Sequence, residues 1–200
     1  MYKTLIRPFL FKLNPESAHQ LTMKMLKIAG SIPFCRSIVR LMFKREHKNL
    51  SREVFGIRFP NPVGLAGGLD KNGECYNELS DFGFGFVEIG SLTAKPQPGN
   101  PKPRLFRVVK DNAIINRMGI NNNGVSEAIK NINSKHPEVI IAGNIAPNSS
   151  SQGEQVAEDY KTAFSLLYDF VDMFVINISC PNVEGLTSLQ EVSSLSDIMD

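Results

Sequence analysis

A chain of 200 residues, 42% hydrophobic and 21% charged, can build one sizeable core and has the composition of an ordinary globular protein. Wholesale disorder, collagen-like repeats and a polytopic membrane protein are thereby excluded. Its three cysteines, Cys35, Cys75 and Cys180, are odd in number, far apart and without a CxxC pair, which argues against a disulfide framework or a four-ligand zinc site and for a reducing compartment.

The net charge of +2 conceals an uneven distribution. Residues 1–50 carry ten Lys or Arg against Glu16 and Glu46, a net +8, whereas the remaining 150 carry 12 basic and 18 acidic residues, a net −6. The N-terminal cations are interleaved with Leu5, Phe9, Met25, Phe34, Ile38 and Leu41, an apolar load that nucleic-acid arms do not carry. Asn14-Pro15-Glu16 reads as the N-cap, first-turn proline and first-turn acid of a helix ending near Gly30, with Leu21, Met25 and Ile28 along one face. A second helix, from Pro33 to Phe43, aligns Phe34, Ile38, Leu41 and Met42 and leaves Arg36 and Arg40 outside. No apolar run approaches the ~18 residues of a spanning helix. Arg7, Pro8 and Lys12 interrupt any signal-peptide core. A helical cap on the main domain and a pair of amphipathic helices on a membrane surface both fit.

From Ser51 onward the pattern changes to short apolar strands alternating with helices. Strands are expected at Val54–Phe59, Val63–Ala66, Phe86–Ile89, Val139–Ala142 and Phe174–Ile178, with an inserted hairpin of Arg104–Val108 and Ala113–Ile115. Helices are expected at Glu74–Phe82, Val125–Ser134 and Glu154–Leu167. Runs such as VIIA and FVINI, without alternation, predict a parallel sheet buried on both faces, and the repeated βα order gives the class α/β. The spacing of a Rossmann GxGxxG is missing after the first parallel strand. Instead AGGLDK, GSLT, GNIAPN and NISCPN each follow a strand end, as active-site loops do in a (β/α)8 barrel. Four βα units make half of such a barrel, and the last residues, Leu195 to Asp200, read as mid-helix, so a longer native chain is expected.

Gly67 and Gly68 allow backbone to approach a flat ligand, and Lys71 adds a cation beside it. As a bare motif this pair equally describes a turn. The amide-rich run Asn116-Arg117-Met118-Gly119-Ile120-Asn121-Asn122-Asn123-Gly124 offers paired donors and acceptors suited to a cyclic imide, or simply a polar loop. In Asn177-Ile178-Ser179-Cys180-Pro181-Asn182 two amides bracket a thiol at a strand end. A free thiol titrates near ~8.5 and can act as proton acceptor or nucleophile, or serve as a small buried hydrophobe. No histidine pair has metal-ligand spacing, and no metal is expected.

FPNPVGLAGGLDKNGE, FGFGFVEIGSLTAKPQPGNPKPRLFR, INRMGINNNG and NISCPNVEGL together resemble dihydroorotate dehydrogenase, and the PESAH helix with its basic extension resembles the class 2, quinone-linked branch. The resemblance implies an FMN-containing (β/α)8 TIM barrel that oxidises dihydroorotate to orotate in pyrimidine biosynthesis. It divides the chain into a helical membrane and quinone-access extension, residues 1–46, and the first half of the barrel, residues 47–200. By motif position Gly67, Gly68, Leu69, Asp70, Lys71, Ser91, Asn144 and Asn177 would line FMN. Lys71, Asn116, Arg117, Met118, Gly119, Ile120, Asn177 and Asn182 would hold substrate. Cys180 falls at the catalytic base, and His19 and Arg107 at the quinone tunnel. The implied partners are dihydroorotate or orotate, a quinone and a membrane surface on its cytoplasmic face, with no nucleic acid. Serine is usual at the base position of class 2 and cysteine in the soluble class 1 enzymes, so a class 1 enzyme using fumarate or NAD is the first alternative. A non-catalytic membrane-surface fragment is the second.

Overall fold

The computed structural model describes residues 2–45, 47–133 and 139–181, together with 189, 196 and 198. Asn182 and most of the terminal segment from Leu195 lie outside the described residues.

The extension contains α1 (Arg7–Lys12), α2 (Pro15–Gly30) and α3 (Pro33–Phe43). Asn14 caps α2 as its sequence predicts, its side-chain oxygen accepting from the Glu16 N–H at 2.9 Å. Pro33 opens α3, again in the first turn where its missing N–H costs nothing. The orientation of α3 reverses the expected one. Phe34 and Leu41 are 73% and 80% exposed, and Arg36 and Arg40 turn inward onto buried Asp81. The helical period sorts residues into faces, but only the neighbouring carboxylate decides which face docks.

Arg52–Val54 (β1) and Ile57–Phe59 (β2) form an antiparallel hairpin where a single strand was expected. The chain reverses at Phe55-Gly56, both with positive φ, and Phe55 is exposed. Next come β3 (Gly64–Leu65), α4 (Tyr76–Ser80) and β4 (Phe86–Leu92). The inserted hairpin is β5 (Leu105–Val108) paired antiparallel with β6 (Ala113–Asn116), as its sequence predicts. Helix α5 (Val125–Asn133), β7 (Ile140–Ile145), α6 (Glu154–Leu167) and β8 (Met173–Ile176) complete the described chain.

The sheet runs β3-β4-β7-β8, every pair parallel. Register aligns Gly64 with Phe86, Glu88 with Ala142 and Asn144 with Val175. Because side chains alternate across a strand, the two faces separate cleanly. Val87, Ile89, Ile141 and Ile145 are fully buried on one face against Tyr76, Val125, Ala128, Tyr160, Ala163 and Leu167 of the helices. Each such aliphatic contributes about 1.5–3 kcal/mol by leaving water. Met23 and Leu26 of α2 pack on the same cluster, which leaves Met25 and Ile28 of the expected apolar stripe exposed. The opposite face carries Phe86, Glu88, Ala142, Asn144 and Val175. This is the concave interior of a partial α/β barrel, and the polar groups collect toward the C-terminal ends of its strands.

Candidate active site

The loop after β3 folds tightly against the end of β4. Gly68 N–H donates to the Gly90 carbonyl at 2.8 Å, and Gly90 N–H donates to the Asp70 carbonyl at 3.1 Å. Gly68 has φ of +96° with open space where a side chain would stand, so bare backbone faces the interior there. Leu69 beside it is partly exposed. Asp70 is 2% exposed, and its two carboxylate oxygens accept from Glu74 N–H at 2.8 Å and Cys75 N–H at 2.7 Å. Burial pushes its carboxyl up while those amides pull it down. The side chain therefore caps the turn into α4, and Asp70 can meet a ligand only through its backbone. Cys75 is buried beside it with its thiol pushed up to about 12 by burial and by the Asp70 charge, which makes it an inert packing group.

Lys71 follows, half-buried. Burial lowers its ammonium, and the Arg104 charge lowers it further, while Cys180 and Glu16 oppose the shift. His19 of α2 is lowered by burial and by Lys71, against Glu16. Lys71 thus shares one electrostatic neighbourhood with Cys180, from the loop after β8, and with Glu16, Arg104 and His19. Cys180 packs on a small cluster of Ile120 and Ala146, so the loops after β6, β7 and β8 meet at the thiol.

Ser91, Asn144 and Asn177 line the same end of the sheet. Asn177 donates from Nδ2 to Ser91 Oγ at 2.8 Å, its Oδ1 accepts from Ser179 N–H at 3.2 Å, and its carbonyl accepts from Tyr160 OH at 2.7 Å. Asn144 is 8% exposed and donates from Nδ2 to Glu88 Oε1 at 2.5 Å, while its own Oδ1 is buried with no protein partner.

The run from Asn116 to Ile120 is held from behind. Asn100 N–H donates to the Met118 carbonyl at 3.0 Å and its Nδ2 to the Arg117 carbonyl at 3.1 Å. Gly119 lies so close to Asn100 that a Cβ would come within 2.7 Å of it, and its φ is +70°. Arg117 turns away from the interior, donating from Nε and Nη2 to the Pro103 carbonyl at 3.1 and 2.9 Å, and is exposed. Its backbone, rather than its guanidinium, belongs to the loop's inner edge. Arg107 donates to the Leu13 and Leu10 carbonyls at 2.8 and 3.2 Å and lies over the Phe11 ring. It ties α1 to the hairpin, with His19 on the next helix.

The groups that organise this end differ in the signal the sequence carries for them, and Arg104 carries none. Arg104 donates bidentately to Glu16 at 2.7 and 3.3 Å and reaches the Pro98 and Asn100 carbonyls, joining α2 across 88 residues to the segment that supports residues 116–120. Asn148 bridges to Lys95 and Gln97, and Asn122 to Thr93. Asn148 lies in GNIAPN and Asn122 in the amide-rich run, loops that the sequence singles out, and Glu88 has a cue of its own, a charge inside the apolar strand FVEIGSL. A cavity of about 470 Å³ opens at the opposite ends of the strands beside Arg40, Asp81 and Asp172, and none of the predicted site residues lines it. Among the described residues no cluster of His, Cys, Asp and Glu has the makings of a metal site.

A sequence model of dihydroorotate dehydrogenase matches residues 49–200. The chain belongs to the dihydroorotate dehydrogenase family. It is 48% identical over 200 residues to the dihydroorotate dehydrogenase (quinone) of Christiangramia forsetii and 41% identical over 200 residues to that of Methylococcus capsulatus, covering all of this chain and 58% and 57% of those relatives. Crystal structures of DHODH from Eimeria tenella, one in complex with ferulenol and one ligand-free, superpose with TM-scores of 0.80 and 0.79 at 35% identity, over 92% of this chain and about half of theirs (49% and 51%). The chain thus spans little more than half the length of the curated relatives it matches, and the α/β architecture is part of that family's TIM barrel.

Proposed function

We propose that the protein carrying this chain is a flavoenzyme that oxidises (S)-dihydroorotate to orotate in pyrimidine biosynthesis and passes the electrons to a quinone. The observation that carries this reading is the convergence of Lys71, Ile120 and Cys180, from the loops after β3, β6 and β8, at one end of the sheet. The names of the relatives, which match from residue 1, support quinone as the acceptor.

FMN is the cofactor proposed. The residues fit a flat, amide-bearing ring: Gly68 presents bare backbone, and the Asn144 Oδ1 acceptor is buried without a partner. FMN, when bound, supplies the acceptor for the hydride leaving C6 of dihydroorotate. Cys180 takes the C5 proton on its sulfur. Lys71 sets a cation where it balances the substrate carboxylate and the negative charge that builds on the substrate as its C5 proton leaves. The inner edge of Asn116 to Ile120, with Asn177 and Asn182, orients the pyrimidine ring, turning proximity into rate. Ser91 fixes the Asn177 amide for that task. His19 and Arg107 stand where α1 and α2 meet the hairpin, and this seam is the proposed quinone approach. The exposed Phe34, Leu41 and Met42 of α3, in a segment of net charge +8, would rest the extension on the cytoplasmic face of a membrane. No helix among the described residues is long and apolar enough to cross one.

The test is stopped-flow bleaching of the flavin by dihydroorotate in the full-length protein. Cys180→Ala is expected to slow it by at least ~100-fold with flavin content unchanged. A rate like the wild type's removes Cys180 as the base.

A further inference from the structure

Glu88 is an ionisable group in the middle of β4, between fully buried Val87 and Ile89, and faces the barrel interior where they face the helices. Its register partner is Ala142, two residues before Asn144, so the carboxylate reaches diagonally across the sheet to the Asn144 Nδ2 at 2.5 Å. An amide rotated by 180° exchanges its donor and acceptor ends at nearly constant shape. An ionised carboxylate only accepts, so contact with Glu88 selects the rotation in which Nδ2 faces it. The other end, Oδ1, is left buried with no protein partner in a side chain more than nine-tenths buried. A buried acceptor of this kind calls for a donor from outside the chain. A Cβ at Gly67 would stand 2.6 Å from Glu88 Oε1 and 3.3 Å from Asn144 Nδ2, so bare backbone of the glycine pair borders the same two groups.

We propose that Glu88 is a positioning residue which, through its hydrogen bond to Asn144 Nδ2, presents Asn144 Oδ1 to the imide N–H of a bound flavin ring. This rests on the reading that the site takes FMN. The ring system of oxidised flavin has a single N–H, in its imide, and a fixed acceptor there rewards flavin over planar ligands lacking that donor. Glu88 acts only through Asn144, so exchanging the chemistry of the two positions should preserve the effect.

The experiment titrates apo full-length protein with FMN and with N3-methyl FMN, following the quenching of flavin fluorescence. Glu88→Gln is expected to weaken FMN about ten-fold, because Gln can hold the Asn144 amide in either rotation. Asn144→Asp is expected to weaken it at least as much by setting two carboxylates against each other. Combining E88Q with N144D restores a donor facing an acceptor, and binding should return to within ~3-fold of wild type. N3-methyl FMN should bind wild type and E88Q alike. Additive losses in the double variant, or wild-type FMN affinity in E88Q, overturn the proposal. Should a single variant fail to fold, the double variant decides: recovered binding supports the pairing and lost binding refutes it. A wild-type protein that binds no FMN overturns the cofactor reading and the proposal together, whereas FMN binding without rescue overturns the proposal alone.

Discussion

In the barrel region the faces of β4 and β7 sort by alternation up to the register shift after Ile89, with Val87, Ile89, Ile141 and Ile145 fully buried and Glu88 and Asn144 on the interior side. In the extension, α3 buries no residue and exposes most of its apolar side chains, and the chain is fastened instead by charge and by isolated polar contacts. Glu16 meets Arg104, Asp81 meets Arg36 and Arg40, and Arg107 holds the carbonyls of Leu10 and Leu13. Ala18, Met23 and Leu26 of α2 and the ring of Phe43, 5.2 Å from that of Phe82, add apolar contact. One region is stabilised by area removed from water, which is non-directional and cumulative. The other hangs on a few directional pairs, each of which can be broken singly.

The contrast is sharpest under truncation of a core side chain. Ile141→Ala should destabilise the barrel by about 2–5 kcal/mol in chemical denaturation, since the cavity cannot be closed by neighbours fixed in a parallel ladder. A loss below ~1 kcal/mol would mean that the face is loosely packed.

Breaking the Glu16–Arg104 pair should cost a comparable amount but act locally. Arg104→Met leaves the buried Glu16 with only Lys102 at 3.4 Å, a change of about 3 kcal/mol for a buried pair losing one partner. The expected signature is faster amide exchange in α2 with little change in β4 and β7. Acid should act in the same place. Hydrogen bonding to Arg104 holds Glu16 below its ordinary value, and Asp81, which burial alone would raise, is held down by Arg36 and Arg40. Carboxylates lowered on folding contribute their full stability above their unfolded values, 4.5 and 3.8, and lose it as pH falls through the lower folded ones. Exchange in α2 and α3 should thus be unchanged at neutral pH and rise only below that range. Equal acceleration in β4 and β7 would mean that the two regions open as one.

The smallest effect on stability is expected at Leu41→Ser. A side chain 80% exposed should change unfolding free energy by no more than ~0.5 kcal/mol. Under the proposed function the same change weakens co-sedimentation with anionic vesicles. Unchanged vesicle binding would argue that α3 is not the membrane-facing element.

Much of this architecture is legible in the sequence because it depends on local rules. Period 3.6 with Asn14, Pro15 and Pro33 fixes α2 and α3, and unbroken apolar runs fix the parallel strands of the barrel. Gly68, Lys71, Asn177 and Cys180 follow strand ends, so their neighbourhood is readable once the class is α/β. The β1–β2 hairpin escaped, since Phe55-Gly56 carries a turn with an apolar residue where Asn or Asp would announce one. The docked face of α3 escaped because an amphipathic helix offers two faces, and Asp81, more than 35 residues away, selects the cationic one. Arg104 and Glu88 escaped in the same way: a charge acquires its role only from the group that folding sets beside it. The sequence by itself determined which segments are helix or strand and which loops are polar, because those follow from nearest-neighbour sterics and hydrophobic period. Only the tertiary structure decided that Glu16 closes on Arg104, that Asp70 spends its carboxylate on two amides, and that Asn144 keeps a buried oxygen free, because hydrogen bonding and charge pairing depend on distances that chain separation does not encode.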